Sequence, residues 1–344
     1  MTSDKVTIRQ VARLAGVGLG TASRVVGGKG AVSPAKAERV RKAIEELQFQ
    51  PSHVARSLSR GTTQAIGVYI PVLSGTFYTP VLQIINAELL AAGVQMMVAF
   101  GSGDGDARAR AMRGVEFLMG RGCDGMIGMA LPLLDEDLAV LGKKRERIVI
   151  LNHSLDAMRD RCFTLDHYFG GQLAARTLLE HSHREIAVIA GPSSLPDSVL
   201  RMEGFLDQLD SVGIDRRSMW IVESDFTAGG GWHAARALLD SGRRFTALFC
   251  ANDEMAVGAL SCFHSAGIRV PHDVSVIGYD DTPSADYSAP QLTSVHLPWR
   301  EMTQNGVWQL LNLCYGLSHP VVHDFEIQVT QRSSVSSPGD VIHP

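Results

Sequence analysis

Residues 7–28 read TIRQVARLAGVGLGTASRVVGG, two short segments with a helical spacing of apolar residues on either side of a glycine. The apolar positions of the first segment follow the i, i+3, i+4, i+7 pattern of one helical face; they are Ile8, Val11, Ala12 and Ala15. Gly16 then supplies the backbone freedom that a tight turn between helices requires. The stretch therefore predicts a helix-turn-helix, with residues 19–26 as its second, recognition helix.

The second segment has three inward apolar residues, so its other side chains are available to an outside partner. For this motif the partner is the major groove of double-stranded DNA. Base-edge contacts are predicted for Leu19, Gly20 and Arg24, and phosphate contacts for Thr21 and Ser23. A further DNA contact is predicted for Thr7, at the start of the first helix.

A glycine-rich phosphate loop is the alternative interpretation of GVGLG, residues 16–20. Such a loop follows a buried apolar strand and opens a helix. Here the glycines follow TIRQVARLA, a charged amphipathic segment with helical spacing. The context favours the helix-turn-helix.

A third helix is predicted to open at Ser33-Pro34, because serine is a preferred N-cap and proline suits the first helical turn. Its apolar face continues to Leu47, Phe49 closes a small three-helix unit, and Pro51 ends it. The charge distribution agrees with a DNA-binding head. The first sixty residues carry about +7 and the remaining 284 about −11, which indicates a nucleic-acid contact module joined to an acidic body.

The composition indicates a globular protein of two or three domains, with 344 residues of which 45% are hydrophobic. No apolar run approaches the length of a membrane span, and the first residues lack a signal-peptide pattern. We therefore expect a cytoplasmic protein without membrane contact. The five cysteines are scattered and form no CxxC pair, so buried free thiols are expected and no cofactor is implied.

From residue 64 onward, short apolar runs alternate with amphipathic segments. The runs include AIGVYI, QMMVAF, DGMIGM, EIAVIA, TALFCA and VSVIGY. Short continuous apolar runs between helices are typical of parallel strands that are buried on both faces. The body is therefore predicted to be α/β, with ligands bound beyond the carboxyl ends of the strands.

Several motifs, in this order and spacing, resemble the LacI/GalR family of bacterial transcription regulators. In the head they are TIRQVARLAGV, TASRVV, VSPAKAERVRKAIEELQFQP and HVARSL. In the body, to about residue 330, they include GCDGMIG, LDHYFGG, HREIAVIAGP, FCANDEMAVGAL and GIRVPHDVSVIGYDD. The chain departs from the family at Gly18, where a capping serine is usual, and near Gly27, where asparagine is usual.

The resemblance implies two lobes like those of periplasmic binding proteins, with parallel sheets, behind the three-helix head. The expected segments are 1–50 for the head, 51–63 for a hinge helix and linker, 64–165 with 295–325 for the N-terminal lobe, 166–294 with 326–333 for the C-terminal lobe, and 334–344 for a loose tail. It also implies a homodimer on a pseudo-palindromic operator. The hinge helix would then form in the minor groove, with contacts from Ala55 and Leu58.

The resemblance further places effector contacts in a cleft between the lobes. The positions that match are Phe77, Tyr78, Asn152, Asp197, Arg201, Phe226, Asn252, Asp280 and Trp299. Each has a structural alternative. Arg201 could only bridge a carboxylate, Asn252 or Asp280 could cap a helix, and the aromatic side chains could only pack.

The chemistry of these residues favours a sugar or glycoside inducer. Asp, Asn and Arg suit vicinal hydroxyls, and aromatic faces pack on the C–H face of a pyranose. A purine corepressor is the alternative, because WIVESDF and FCANDEMAVGAL also resemble the purine-binding members. In those members an arginine two residues before the position of Asp197 helps to hold the base, and here that position is Leu195.

An enzyme and a transport-type sugar-binding protein are the remaining alternatives. The chain has no GxSxG, HExxH or GxxxxGK[ST] motif. His181 and His183 lack further ligands at metal-binding spacing. A transport-type protein would carry a signal peptide and would lack the basic head. The sequence therefore predicts a DNA-binding repressor that is not an enzyme and holds no metal.

Overall fold

The computed structural model of the chain describes residues 6–27, 31–49, 62–72 and 77–338. Three helices form the head: α1 (Ile8–Leu14), α2 (Leu19–Gly27) and α3 (Pro34–Glu46). Between α1 and α2, Gly16 has a φ of 62°, the left-handed conformation that glycine adopts without strain. The head has its own core of Val11, Ala12, Ala15, Ala22, Val40, Ala43 and Phe49. The predicted helix-turn-helix and its closing residue are confirmed.

The first sheet of the body has five parallel strands in the order β2-β1-β3-β4-β5. They are β1 (Ala65–Ile70), β2 (Gln95–Phe100), β3 (Gly125–Met129), β4 (Ile148–Leu151) and β5 (Cys162–Phe163). The helices between them are α4 (Tyr78–Ala91), α5 (Ala107–Gly120) and α6 (Asp135–Leu141), with 3-10 turns at Gly142–Arg147 and Asp156–Arg161. Central β1 pairs with β2 and β3, and its residues from Ile66 onward are buried.

The second sheet has six strands in the order β11-β10-β9-β8-β6-β7. They are β6 (Ile186–Ala190), β7 (Trp220–Glu223), β8 (Ala247–Cys250), β9 (Ser275–Asp280), β10 (Thr293–His296) and β11 (Gln328–Thr330). The helices are α7 (His167–Glu180), α8 (Pro196–Asp210), α9 (Ala228–Asp240), α10 (Asp253–Ser265) and α11 (Pro283–Tyr287), with a 3-10 turn at Arg216–Ser218. All pairings are parallel except that of β10 with the edge strand β11.

The chain crosses back to the first sheet later than predicted. Val295 was expected to open the return to the N-terminal lobe, but it lies within β10 and pairs with Tyr279 of β9. The return therefore begins after His296, and α12 (Trp299–Tyr315) then packs against β3 and β4 of the first sheet. Because β10 pairs with β9, the boundary between the lobes lies after His296 and not at Val295.

The predicted loose tail also begins too early. Ser334 and Val335 are buried, and the Ser334 hydroxyl donates to the Val276 carbonyl oxygen at 2.6 Å. Residues 334–336 therefore complete the second lobe, because Ser336 likewise bonds to Ser275. All five cysteines are free thiols; four are buried and Cys314 is half-buried. No helix within the described ranges has both the length and the apolar character needed to cross a membrane.

Candidate functional site

The outer face of α2 carries the residues that were predicted to contact DNA. Leu19, Gly20, Ser23 and Arg24 are exposed, and Thr21 is half-buried. Because Ala22 on the opposite face is completely buried, α2 cannot rotate without opening the core of the head. This face is therefore held outward, and its DNA contacts stay a prediction. The hinge residues Ala55 and Leu58 lie outside the described residues.

Two of these head residues also make contacts within the head. The Arg24 Nε donates to the Gly20 carbonyl oxygen at 3.1 Å, so the guanidinium lies along α2. Thr7 is the N-cap of α1: its backbone N–H and its hydroxyl both donate to the Gln10 Oε1, at 2.6 and 3.0 Å. Thr7 thus fixes the first turn of α1, whether or not it contacts a phosphate.

Gly18 occupies the N-cap position of α2, because its carbonyl accepts from the N–H groups of Thr21 and Ala22. A Cβ at Gly18 would meet no atom within 4 Å. We expect Gly18→Ser to stabilise the head by a few tenths of a kcal/mol, roughly the difference between glycine and serine as caps. Thermal unfolding measures this change. Gly18→Ala is the control, and equal stabilisation by alanine would attribute the effect to the backbone instead of the cap.

In the body, three predicted effector residues lie at the carboxyl ends of strands. Asn152 follows β4, Phe226 follows β7 after two residues, and Asp280 ends β9. Their φ angles are 59°, 64° and 102°, although none is glycine. Such conformations cost about 1–3 kcal/mol each and cluster at functional sites that the surrounding structure holds in place. The strained strand ends therefore mark this cleft as the candidate site.

Arg201, on α8, is the charged centre of the cleft and is only 4% exposed. Its Nη1 donates to the Ala251 carbonyl oxygen at 2.7 Å, and its Nη2 donates to the Asp197 Oδ2 at 3.3 Å. The same Nη2 lies 3.5 Å from the Asp280 Oδ1. The guanidinium also lies 4.2 Å from the ring centre of Tyr279. Arg201 therefore bridges two carboxyl groups, which was the structural role considered for it in the sequence. Both of these groups, Asp197 and Asp280, are themselves predicted effector contacts.

The aromatic residues of the predicted site meet at the start of two helices. Phe77 lies edge-on to Tyr78, with ring centres 5.1 Å apart, and edge-on to Trp299 at 4.8 Å. Tyr78 is the first residue of α4 and Trp299 the first of α12. The Phe226 ring lies 5.6 Å from the Arg201 guanidinium. The structure thus brings Phe77, Tyr78 and Trp299 together and places Phe226 beside the charged residues.

Asn252 and Asp280 were both possible helix caps, and the structure confirms this role for only one of them. The Asn252 Oδ1 accepts from the Met255 N–H at 2.9 Å, which confirms that it caps α10. Its Nδ2 donates to the Phe226 carbonyl oxygen, which supports the strained turn there. Asp280 is not a helix cap, because α11 begins at Pro283 after Thr282.

The structure adds His167 and Tyr279, which the sequence did not single out. The His167 ring bonds through Nε2 to the Asn152 Oδ1 at 2.7 Å and through Nδ1 to the Tyr279 hydroxyl at 3.2 Å. Burial, with the Arg201 charge nearby, lowers the pKa of His167 to about 3, so the ring is neutral and links the two lobes. The signal was present in LDHYFGG, since His167 comes soon after β5, at the start of α7.

Burial raises the pKa of Asp280 to about 8, against the opposing effect of Arg201. The folded protein therefore retains this proton between about pH 4 and pH 8, whereas the unfolded chain releases it. The contribution of Asp280 to the free energy of unfolding is thus largest at acidic pH and is lost as the pH rises through 8.

We therefore expect Asp280→Asn to gain stability relative to the wild type as the pH rises from 5 to 8.5, because asparagine carries no titratable proton. Urea unfolding at both pH values measures the difference. Asp156→Asn removes an exposed carboxylate and serves as the control. A difference between Asp280→Asn and the wild type that is constant with pH would show that Asp280 is ionised throughout.

His181 and His183 have structural partners. The His183 ring bonds to the Thr246 hydroxyl at 2.9 Å and to the Ser336 carbonyl oxygen at 2.8 Å. The His181 ring bonds to the Thr177 carbonyl oxygen. In the part of the chain that the structure describes, no group of three or more His, Cys, Asp or Glu side chains is arranged to hold a metal ion.

Comparison with known proteins agrees with both parts of this architecture. Residues 7–52 match the family model of bacterial regulatory proteins of the lacI family, and residues 175–335 match a periplasmic binding protein-like domain. The HTH-type transcriptional regulator GalR of Escherichia coli strain K12 is 32% identical, with 96% of each chain covered. The repressor PurR of Aliivibrio fischeri is 33% identical, covering 96% of this chain and 98% of the relative.

Solved structures give the same result. A LacI-family regulator from Burkhoderia phymatum is 47% identical with a TM-score of 0.75, covering 79% of this chain and 99% of that one. The lac repressor dimer bound to operator and an anti-inducer is 28% identical with a TM-score of 0.83, covering 97% and 100%. The transcriptional regulator CelR in complex with cellobiose is 31% identical with a TM-score of 0.68, covering 96% and 99%. The chain therefore belongs to the LacI family of DNA-binding transcription regulators.

Proposed function

We propose that this regulator represses genes of sugar metabolism and leaves its operator when a sugar or glycoside binds between the lobes. It acts as a homodimer, with one head on each half of a pseudo-palindromic operator. The proposed domains are those expected from the sequence, with the return to the N-terminal lobe moved to residue 297 and residues 334–336 assigned to the C-terminal lobe.

The observation that carries the sugar proposal is a set of buried polar atoms in the cleft. The Arg201 Nε, the Asp280 Oδ1 and the Trp299 Nε1 have no hydrogen-bond partner within the described residues. Buried polar groups are normally paired, so each such atom needs a ligand or water partner. Two of the atoms are donors and one is an acceptor. A hydroxyl both donates and accepts, so vicinal hydroxyls satisfy all three.

The ring geometry supports a sugar over a purine. A flat base stacks best between parallel aromatic faces, whereas the Phe77–Tyr78 and Phe77–Trp299 pairs are edge-on, at 76° and 78°. Such a corner packs on the C–H face of a pyranose. Leu195, the N-cap residue of α8, also offers an apolar side chain where the purine-binding members have arginine.

Coupling between the cleft and the operator follows from ligand contacts on both lobes, and an inducer gives this coupling a negative sign. A ligand that contacts Trp299 on one lobe and Arg201 on the other favours one angle between the lobes. Operator binding must then weaken the affinity for the sugar by the same factor, typically about 5–150-fold. The cellobiose complex of CelR supports a sugar effector, and a purine corepressor stays the alternative.

The proposal is tested by a thermal-shift screen of monosaccharides, disaccharides and purines, followed by titration of an operator selected from random duplexes. We expect a sugar to raise the melting temperature and to weaken operator binding. A purine that raises the melting temperature and tightens operator binding would establish the corepressor alternative. Failure to select any palindromic duplex would contradict the operator part of the proposal.

A further inference from the structure

Helix α12 runs from the effector cleft to the opposite edge of the first sheet. It begins at Trp299, three residues after the end of β10 in the C-terminal lobe, and ends at Tyr315. Its 17 residues span about 25 Å at 1.5 Å per residue. The first turn of α12 therefore contacts the cleft and the crossover between the lobes, while its last turn lies near the amino ends of the strands.

At that far end, one carboxylate joins α12 to the chain that leads to the head. The Tyr315 hydroxyl donates to the Asp124 Oδ2 at 2.9 Å. The backbone N–H groups of Thr63 and Gln64 donate to the Asp124 Oδ1 and Oδ2, at 2.8 and 2.7 Å. The Thr63 hydroxyl also donates to the Gly122 carbonyl oxygen at 2.7 Å. We call Asp124 with Thr63, Gln64 and Tyr315 the Asp124 anchor.

The Asp124 anchor holds the first described residues after the segment that joins the head to the body. Gln64 has a φ of 53°, a conformation that a residue other than glycine keeps only when its surroundings hold it. Asp124 is 9% exposed, so its hydrogen bonds are shielded from competing water. Asp124 therefore sets the direction in which the chain enters β1.

Helix α12 is held as a rigid element along its length. The Glu88 carboxylate on α4 accepts from the Gln304 Nε2 at 2.7 Å and from the Trp308 Nε1 at 2.8 Å. A Cβ at Gly125 would lie 2.6 Å from the Cys314 sulfur, so the end of α12 packs directly on β3. A displacement of the first turn must therefore move the whole helix, because its side contacts leave little room for bending.

We propose that α12 transmits effector binding in the cleft to Thr63 and Gln64, on the side of β1 that leads to the head, through the hydrogen bond from Tyr315 to Asp124. Tyr315 and Asp124 are positioning residues for operator binding, and neither contacts the effector or DNA. Ligand contact at Trp299, or rotation at the crossover, shifts α12 along β3 and β4. The shift changes the length and angle of the hydrogen bond from Tyr315 to Asp124. The Asp124 carboxylate then moves, which changes the strength of its hydrogen bonds to the N–H groups of Thr63 and Gln64.

The variant that tests this inference is Tyr315→Phe, which removes one hydroxyl and keeps the ring. Tyr168→Phe is the matched control, because the Tyr168 hydroxyl also donates to a carboxylate, that of Asp207, but does so within the C-terminal lobe. Asp124→Asn is the second variant, for use if Tyr315→Phe fails to fold. Three quantities are measured on the full chain: amide hydrogen exchange at residues 63 and 64, operator affinity without sugar, and the change in operator affinity with the sugar that gives the largest thermal shift.

We expect exchange at Thr63 and Gln64 to rise by about fivefold or more in Tyr315→Phe, because the loss of a hydrogen bond worth about 1.5–3 kcal/mol leaves the Asp124 carboxylate free to rotate. Operator affinity without sugar should fall, and binding to random DNA should stay unchanged because the head is untouched. The effect of the sugar on operator affinity should decrease by roughly 2- to 30-fold. Sugar affinity of the free protein and all three quantities in Tyr168→Phe should match the wild type.

The inference rests on the proposed function only in its sugar measurement. Unchanged exchange and unchanged operator affinity in Tyr315→Phe would overturn the inference even if the wild type responds to sugar normally. Faster exchange with a full sugar response would show that the anchor exists but does not transmit, which also overturns it. If no sugar acts on the wild type, the proposed effector fails, and operator affinity without sugar then decides the inference alone.

Discussion

Arg201→Ala is expected to abolish the response to the effector while leaving operator binding in place. Arg201 is buried between Asp197 and Asp280, and its Nε has no partner in the described part of the protein. Alanine removes the ligand contact and leaves the Asp197 carboxylate without its cation. We expect effector affinity to fall by about 10- to 150-fold, since the loss of a hydrogen bond from a charged group costs about 1.5–3 kcal/mol. Calorimetric titration with the sugar and operator titration measure the two effects separately.

The controls separate ligand contact from stability. Arg201→Lys keeps the charge but loses the planar fork that donates to Ala251 and Asp197 together, so it should also bind the sugar poorly while folding normally. Arg236→Ala removes an exposed arginine that is paired with Asp240 and should leave both titrations unchanged. Wild-type sugar affinity in a folded Arg201→Lys or Arg201→Ala would show that Arg201 only stabilises the lobe.

The head was predictable from the sequence because its signals are local. The spacing of Val11, Ala12 and Ala15, the positive φ of Gly16 and the proline at the start of α3 each concern neighbouring residues. Short-range periodicity decides which face of such helices is buried. The strands were predictable for the same reason, because parallel strands covered on both faces are continuously apolar.

The effector residues came from resemblance, since no local pattern brings Phe77, Asn152 and Arg201 together. Their proximity depends on two sheets meeting at their carboxyl ends, which is a tertiary property. His167 was missed in the sequence for the same reason. Its ring links the two lobes through hydrogen bonds to Asn152 and Tyr279, and both partners are distant in sequence. Residue type alone does not distinguish such a histidine from an exposed one at a helix start.

The boundary errors have a common physical cause. The predicted lobe boundary fell inside β10 because the extent of this strand is set by its pairing with β9. Such pairing partners are distant in sequence, so no local pattern shows them. The polar segment at 334–336 was expected to be loose because it is rich in serine. In the structure the Ser334 hydroxyl donates to the Val276 carbonyl oxygen and the Ser336 N–H donates to the Ser275 hydroxyl, which satisfies these polar groups inside the lobe. Composition predicts exposure only where no such partner exists.

Arg24→Ala is expected to weaken specific operator binding by about 10- to 150-fold, the range of roughly 1–3 kcal/mol for the loss of a base contact. Arg24 lies on the exposed face of α2, one turn from Gly20, whose missing side chain leaves room for the guanidinium to turn toward the groove. The bond to the Gly20 carbonyl oxygen takes only the Nε–H of Arg24, so the Nη1 and Nη2 groups stay available for a bidentate contact with guanine. Titration of the selected operator and of random duplex measures both affinities.

The matched control for Arg24 is Arg41→Ala, which removes the same charge from an exposed position of the head, on α3. Because affinity for random DNA depends on charge, both variants should lose a similar, small part of it. Only Arg24→Ala should lose specificity, and it should do so at one base pair in each half-site. If Arg24→Ala weakens specific and random binding equally and lowers the salt dependence by about one counterion, Arg24 contacts a phosphate. Base recognition would then depend on Leu19 and on the deformability of the operator, because Gly20 offers no side chain.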